Sequence, residues 1–490
     1  MPVFSLPSRY GIGTFGKEAF RFVDFLEKAG QSYWQILPIG PTSFGDSPYQ
    51  SFSTYAGNPY FIDLDLLISE GLLSEDEVSK VDFGSDPLSI DYGLLYQNRF
   101  PLLRLAFSRF ERTDEYREFC RRNAYWLDDY SLYMAIKQRE GDKGWTEWPK
   151  ALRFREESAL ADAREELWGD ISFYKFLQFV FSRQWHSLKA YANGKGIEII
   201  GDIPIYVALD SADVWANTEQ FQLGRDLLPS SVAGCPPDAF SEDGQLWGNP
   251  LYDWAKMKKD GYEWWCRRMG YALSVYDTVR IDHFRGLESY YSIPYGDKTA
   301  KNGVWKKGPG MALFKAFGEK LGGRLPLIAE DLGFLTDAVL SLLKKSGFPG
   351  MKVLQFAFDS REESDYLPHN YNSNCVVYTG THDNDTIKGW TASAPAEDVN
   401  FAYRYLGVAE GESLVWPMMR AALSSVADTC ILMMPDLVSL GGEGRINTPA
   451  TTENNWRLRI GSDCINDWLA NVLRENTALY GRLKKKKGEN

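Results

Sequence analysis

The chain has 490 residues, 44% of them hydrophobic, enough for a large core and for two or three domain-sized units. Its formal net charge of −12 argues against nucleic acid and anionic membrane, which select a basic face, and leaves a neutral substrate open. No run is apolar enough to cross a bilayer, Met1-Pro2-Val3-Phe4-Ser5 lacks the regions of a signal peptide, and the six cysteines form no CxxC pair, so a reduced, cytoplasmic setting is expected.

In chain order, Ala19, Phe20, Val23 and Leu26 give Gly16 to Gly30 helical spacing. Trp34 to Ile39 predicts a first strand, and the polar loop Thr42 to Ser51 after it would sit over a barrel mouth. The next strand is Ile197 to Asp202, far beyond what one crossover needs. The interval reads as helical near Leu102–Phe110, Tyr116–Lys137 and Ile171–Tyr191, with a turn over Gly141–Lys150 and a stop at Asn193-Gly194. Residues 65–170 are therefore expected to be a mostly helical insertion on a single catalytic unit spanning 1–490.

Strand and helix patterns then alternate. The strands are Thr278–Asp282, Leu325–Glu330, Met351–Phe358, Cys375–Thr379 and Cys430–Met434, and the helices include Met311–Leu321 and Thr336–Lys345. The expected fold is α/β, a (β/α)₈ barrel with helical subdomain insertions. Seven strands are legible and the eighth is not. Pro236 to Trp254 reads as a long irregular stretch rich in aromatic residues, and residues 235–254 are expected to form a lid that excludes water and stacks on substrate.

Three segments place an acid just past a short apolar run: Val279-Arg280-Ile281-Asp282, Ile328-Ala329-Glu330-Asp331, and Val376-Val377-Tyr378-Thr379 followed by Gly380-Thr381-His382-Asp383. Barrel strands deliver their C-terminal ends to one mouth, and acids there in different protonation states suit glycosyl transfer. Arg280 lies two residues before Asp282, on the same side of the strand, and would keep that carboxylate ionised and held, as a nucleophile requires. A buried ion pair is the structural alternative. Glu330, against apolar walls, would have a raised pKa and serve as acid and then base. Asp331 competes with it, because neighbouring strand residues face opposite ways and spacing does not say which one faces the mouth. His382 and Asp383 could bind sugar hydroxyls, or belong to an Asx-type turn with Asn384 and Asp385. Asp202 and Asp436 are further strand-end acids. Clustered like charges are costly without a use. With only four histidines and no ligand spacing, neither a metal nor a cofactor is expected.

These segments resemble the 4-α-glucanotransferases of glycoside hydrolase family 77, the amylomaltases or disproportionating enzymes, relatives of the α-amylases. The likeness runs through Ser8-Arg9-Tyr10-Gly11-Ile12-Gly13, Gly45-Asp46-Ser47-Pro48-Tyr49-Gln50, Gly201-Asp202-Ile203-Pro204-Ile205-Tyr206-Val207, Asp213-Val214-Trp215-Ala216, Gly244-Gln245-Leu246-Trp247-Gly248-Asn249-Pro250, Arg280-Ile281-Asp282-His283-Phe284-Arg285-Gly286, Asn447-Thr448-Pro449 and Asn455-Trp456-Arg457, over essentially the whole chain. The resemblance implies that Asp282 is the nucleophile, Glu330 the acid/base and Asp383 the stabiliser of the oxocarbenium-like transition state. It implies that Arg280, His382 and Asp202 support the sugar at the scissile bond, with Tyr49 stacking on it and Ser47 nearby. Asp238 and Trp247 would wrap the glucan and Asn447 would cover the opposite side. The substrates implied are α-1,4-glucans and maltooligosaccharides. A retaining α-glucan hydrolase with the same acids is the alternative, and a non-catalytic glucan-binding protein is a remoter one. The aromatic stretch favours transfer, which needs water held out.

Overall fold

The structure is a computed structural model that describes residues 1–43, 45–237, 241–323, 325–333, 335–451 and 453–484. Its strands in chain order are β1 (Tyr33–Gln35), β2 (Glu198–Ile203), β3 (Ser231–Cys235), β4 (Gln245–Pro250), β5 (Thr278–Ile281), β6 (Ser289–Pro294), β7 (Val304–Lys307), β8 (Leu327–Ala329), β9 (Gly350–Val353), β10 (Cys375–Tyr378) and β11 (Thr429–Ile431). Seven of them make the barrel wall. β1-β2-β5-β8 form one parallel ladder and β9-β10-β11 another. The Ala329 amide, donating to the Pro349 carbonyl at 2.9 Å, joins the two ladders.

Alternation along these strands explains the two cores. Ile200, Ile328, Met351, Val353, Val376 and Tyr378 point inward and form a separate buried cluster, which is the barrel interior. Ile199, Val279, Ile281, Leu327, Ala329 and Val377 point outward into the main core beneath the surrounding helices. The seam between β11 and β1 shows why no eighth strand was legible. Among the described residues no strand pairs there. Met1 lies in it instead, its ammonium donating to the Gln35 carbonyl and its carbonyl accepting from Trp34 Nε1 at 2.7 Å.

Between β1 and β2 the described elements are helical, including Tyr92–Arg109, Asp114–Arg139 and Trp168–Gly194. Side-chain caps from Asp63, Ser74, Asp91 and Thr113 start four helices in this stretch. Trp168–Gly194 straddles the expected boundary at residue 170 and runs on to the barrel. There it is fixed by reciprocal amide bonds. Gln178 exchanges hydrogen bonds with the Gly57 backbone and Gln184 with that of Asp63. Gly57 is required at this crossing, because a Cβ would meet the Phe181 ring at 2.1 Å.

Three expectations change. Met351–Phe358 is not one strand, since β9 ends at Val353 and Leu354–Phe358 is 3₁₀ helix. Short apolar runs do not distinguish the two. Cys430–Met434 likewise divides into β11 and a helical turn, Met434–Leu437, with Pro435 in its first turn. The stretch read as irregular contains β4, which pairs with β3 in the antiparallel sheet β4-β3-β6-β7. A register shift between Val232 and Gly234, together with Gly248 at φ 76°, hides the alternation that would have marked it.

Candidate active site

Strand register builds the site. In the β2–β5 ladder Asp202 lies opposite Arg280, and in the β5–β8 ladder Ile281 lies opposite Ala329. The next residues, Asp282 and Glu330, therefore leave neighbouring strand ends together. Their backbones stay bonded, Asp282 N to Ile203 O and Glu330 N to Ile281 O, each at 3.0 Å.

Arg280 is 4% exposed and reaches both strand-end acids. Nη1 donates to Asp202 Oδ2 at 2.6 Å, and Nη2 lies 3.1 Å from Asp282 Oδ1. The pairing expected with Asp282 is present, but Asp202 takes the shorter contact. Nε points to the Met351 sulfur at 3.3 Å. Burial opposes the Arg280 charge, yet Asp202 and then Asp282 outweigh it and hold the pKa above the ordinary value. Tyr49 Oη donates to the same Asp202 oxygen at 2.8 Å.

Among the described residues no cation hydrogen-bonds Glu330, although Arg280 is near enough to favour its charge. Its two oxygens accept the His283 and Leu332 amides, each at 2.7 Å. The left-handed backbone of His283, φ 53°, belongs to the turn that presents the first of these. Asp331 faces the other way, as alternation requires, and its carboxylate accepts the Met351 amide at 2.6 Å. Burial is the first cause raising the pKa of both Asp282 and Glu330. For Asp282, Arg280 pulls down while Glu330, Asp202 and Asp383 push up. Burial and the three neighbouring acids outweigh Arg280, which alone does not keep Asp282 at the ordinary carboxylate value.

After β10, the Asx-type turn is formed. Asn384 Oδ1 accepts the Thr381 amide at 2.8 Å and closes the turn. His382 and Asp383 are then left facing the mouth. The His382 ring stacks on Tyr49 with centroids 5.1 Å apart, and its Nε2 lies 3.4 Å from Asp383 Oδ1. Burial lowers the His382 pKa, with Asp383 opposing, so the ring is neutral near pH 7. Asn447 Nδ2 donates to Asp383 Oδ1 at 2.6 Å, and Arg445 Nη2 donates to the Asp383 carbonyl at 2.8 Å. Asp383 is thus held from behind while its side chain remains half exposed.

On the other rim, Trp247 on β4 meets His283 edge-on, ring centroids 4.8 Å apart at 89°. Asn249 ties this strand to the Val207 carbonyl and to Gln50. Ser47 accepts the Tyr49 amide at 3.3 Å and shapes the loop that carries that ring. Asp238 lies outside the described residues. Asp436 is drawn away from the mouth, where it accepts the Thr379 hydroxyl and the Ile387 amide.

A family profile described as 4-alpha-glucanotransferase, glycoside hydrolase family 77, matches residues 1–463. A 4-alpha-glucanotransferase of Clostridium butyricum is 50% identical, covering 98% of this chain and 100% of that protein. The chain belongs to the 4-alpha-glucanotransferase family. A relative of the same name from Thermus thermophilus is 47% identical over 93% of each chain. An amylomaltase from Streptococcus agalactiae, solved in complex with acarbose, superposes with a TM-score of 0.96 at 43% identity over 99% of both chains. The barrel is accordingly the (β/α)₈ barrel of that family, and glucans are its substrates. No helix among the described residues is long and apolar enough to cross a membrane.

Several contacts of this glucanotransferase site were not found by reading the sequence. Arg268, 1% exposed, donates to the Pro204 and Ile205 carbonyls at 2.5 and 3.0 Å and to Thr54 Oγ1 at 2.7 Å. It thereby joins the loops after β1 and β2. It lies on a helix whose tryptophans read as core, and nothing in its spacing marks it. Arg445 carried no signal either. His283 stood inside a quoted motif, but only the fold shows its amide on Glu330 and its ring against Trp247.

Proposed function

We propose that the enzyme moves α-1,4-glucan segments to the 4-hydroxyl of a second glucan or glucose by retaining double displacement. Asp282 attacks the anomeric carbon while Glu330 protonates the leaving glycosidic oxygen. Glu330 then takes the proton of the incoming hydroxyl, and Asp282 departs. Retention calls for carboxyls about 5 Å apart. The observation that carries the assignment is the unequal partnership of two adjacent acids. Asp282 contacts a guanidinium at 3.1 Å, which favours the anion a nucleophile needs, whereas two backbone amides hold the Glu330 carboxyl in place and burial raises its pKa toward that of an acid.

In this reading Asp383 faces the positive charge that develops on the sugar, held by Asn447. Tyr49 and His382 form a flat wall for the same ring, with Asp202 and Arg280 beneath and Ser47 in the loop behind Tyr49. Trp247 belongs to the side that wraps the glucan, and Asp238 is a further proposed glucan contact. Maltooligosaccharides are the soluble substrates proposed.

Two measurements test this. Incubation with maltotriose should give glucose and a ladder of longer oligomers; reducing ends rising in step with cleavage would instead establish a hydrolase. A fluorinated glucosyl fluoride that slows the second step should leave one hexose adduct, and peptide mapping should place it on Asp282. An adduct on another residue sinks the assignment.

A further inference from the structure

Arg280 is the one cation bonded to two of the mouth acids among the described residues, and it has five N–H donors to satisfy in a buried barrel interior. Two Nη groups meet carboxylates. Nε points down the barrel axis into the apolar cluster of Ile200, Ile328, Val353, Val376 and Tyr378. The partner it finds there is the Met351 thioether at 3.3 Å. Met351 is 1% exposed, and its backbone amide is fixed by Asp331 at 2.6 Å. The nearby Tyr378 hydroxyl is engaged elsewhere, donating to Gln35 Oε1 at 3.0 Å. Asp331 on the outside of the wall therefore sets Met351, and Met351 sets Arg280.

We propose that Met351 is a positioning residue for the reaction: its sulfur takes the Arg280 Nε–H and so turns the Nη edge onto Asp202 and Asp282. A thioether suits this place because it is a weak, uncharged acceptor. It satisfies the N–H without adding an anion that would draw the guanidinium down and away from the acids. This rests on the reading of Asp282 as nucleophile.

The test uses Met351→Leu, which keeps the bulk and removes the acceptor, and Met351→Gln, which restores an acceptor oxygen. A cavity of about 70 Å³ lined by Arg280, Met351, Tyr378 and Met433 gives the amide room. Asp282 is faced by Asp202 from β2, Glu330 from β8, His382 and Asp383 after β10, Tyr49 after β1, and Arg280 on its own strand. Neither variant alters any of these, so a displaced acid limb reports the hold of Arg280 on Asp282. With maltotriose, Met351→Leu should lower kcat about tenfold at a KM within about twofold of the parent. Its acid limb should move to higher pH, because a loosened guanidinium stabilises the Asp282 anion less. Met351→Gln should recover both.

A Leu variant with the parental kcat and limb overturns the proposal, as does a folded Gln variant no better than Leu. Should Gln not fold by near-UV circular dichroism, the cycle of Met351→Leu with Arg280→Lys decides: full additivity overturns the proposal, and loss of the Leu effect in the Lys background supports it. Trapping the parent with the fluorinated donor keeps the two readings apart. An Asp282 adduct with an unmoved limb in the Leu variant sinks Met351 alone, whereas an adduct elsewhere sinks the nucleophile.

Discussion

Glu330 and Asp331 are adjacent acids with opposite surroundings, and conservative amide substitutions should separate them sharply. Glu330→Gln removes the proposed acid/base, an effect of about 10²–10⁴ in rate, or about 3–5 kcal/mol of transition-state stabilisation. It also sets an amide NH₂ against one of the two backbone N–H groups that now donate at 2.7 Å. That mismatch costs about 1–3 kcal/mol, offset by removing a carboxyl whose charge burial disfavours. The unfolding midpoint should move by only a few degrees. Asp331→Asn keeps an oxygen for the Met351 amide, loses less than about 1 kcal/mol, and should retain transfer within about threefold. The assay is initial glucose release from maltotriose, with midpoints followed by circular dichroism. An α-glucosyl fluoride, whose leaving group needs no proton, should restore the first step in Glu330→Gln. If Asp331→Asn lost as much activity as Glu330→Gln at an unchanged midpoint, the assignment by strand alternation would be wrong.

Three further outcomes are expected. A Cβ at residue 201 would meet the Tyr276 ring at 2.1 Å, so Gly201→Ala should cost about 1–3 kcal/mol and, by shifting Asp202 beside it, lower kcat; an unchanged midpoint and rate would refute this. Trp247→Ala opens the rim beside His283, and the share of donor cleavage ending in hydrolysis should rise, read as reducing ends against oligomer ladder; an unchanged ratio would remove Trp247 from water exclusion. Burial, partly offset by the Ile387 amide and the Thr379 hydroxyl, pushes Asp436 up to about 6, so its stabilising contribution is full below the unfolded carboxylate range near 4 and is lost as pH rises through 6. Asp436→Asn should therefore gain on the parent by up to about 3 kcal/mol between pH 4 and pH 7 in denaturant unfolding, and parallel stability curves would contradict the shift.

The barrel was legible because β2, β5 and β8 are short buried runs ending in acids, a pattern that survives without tertiary context. Strand limits were less so, as at Leu354–Phe358, where an apolar run suits a 3₁₀ turn as well as a strand. β4 was missed because its pairing depends on a register shift in a partner strand, which local alternation does not encode. Within the site, Asp282, Glu330 and Asp202 could be placed at one mouth from the sequence. Which acid the guanidinium binds more closely could not, because Asp202 and Arg280 are 78 residues apart and meet only through the β2–β5 register. Arg268 and Arg445 act on backbone carbonyls, and any long cation suits that task, so neither leaves a pattern.

The crowding of acids first suggested a site, since like charges should not gather without a use. The contacts explain how the gathering is tolerated. Each acid has a different kind of partner: Asp202 the Arg280 and Tyr49 donors, Asp282 one guanidinium nitrogen, Glu330 two amides, Asp383 the Asn447 amide. Retaining transfer asks for two acids in different roles, and these unlike partners set the proposed nucleophile apart from the proposed acid/base. Their inequality follows from register and alternation, which set which residue on each strand faces the guanidinium. Hydrolysis and transfer share these acids, so the choice between them must lie elsewhere. The candidate is the rim that β4 carries, where Trp247 rests on the His283 whose own amide holds Glu330. A glucan pressing on that tryptophan would bear on the residue that orients the proposed acid/base, linking acceptor occupancy to the proton transfer that the acceptor requires.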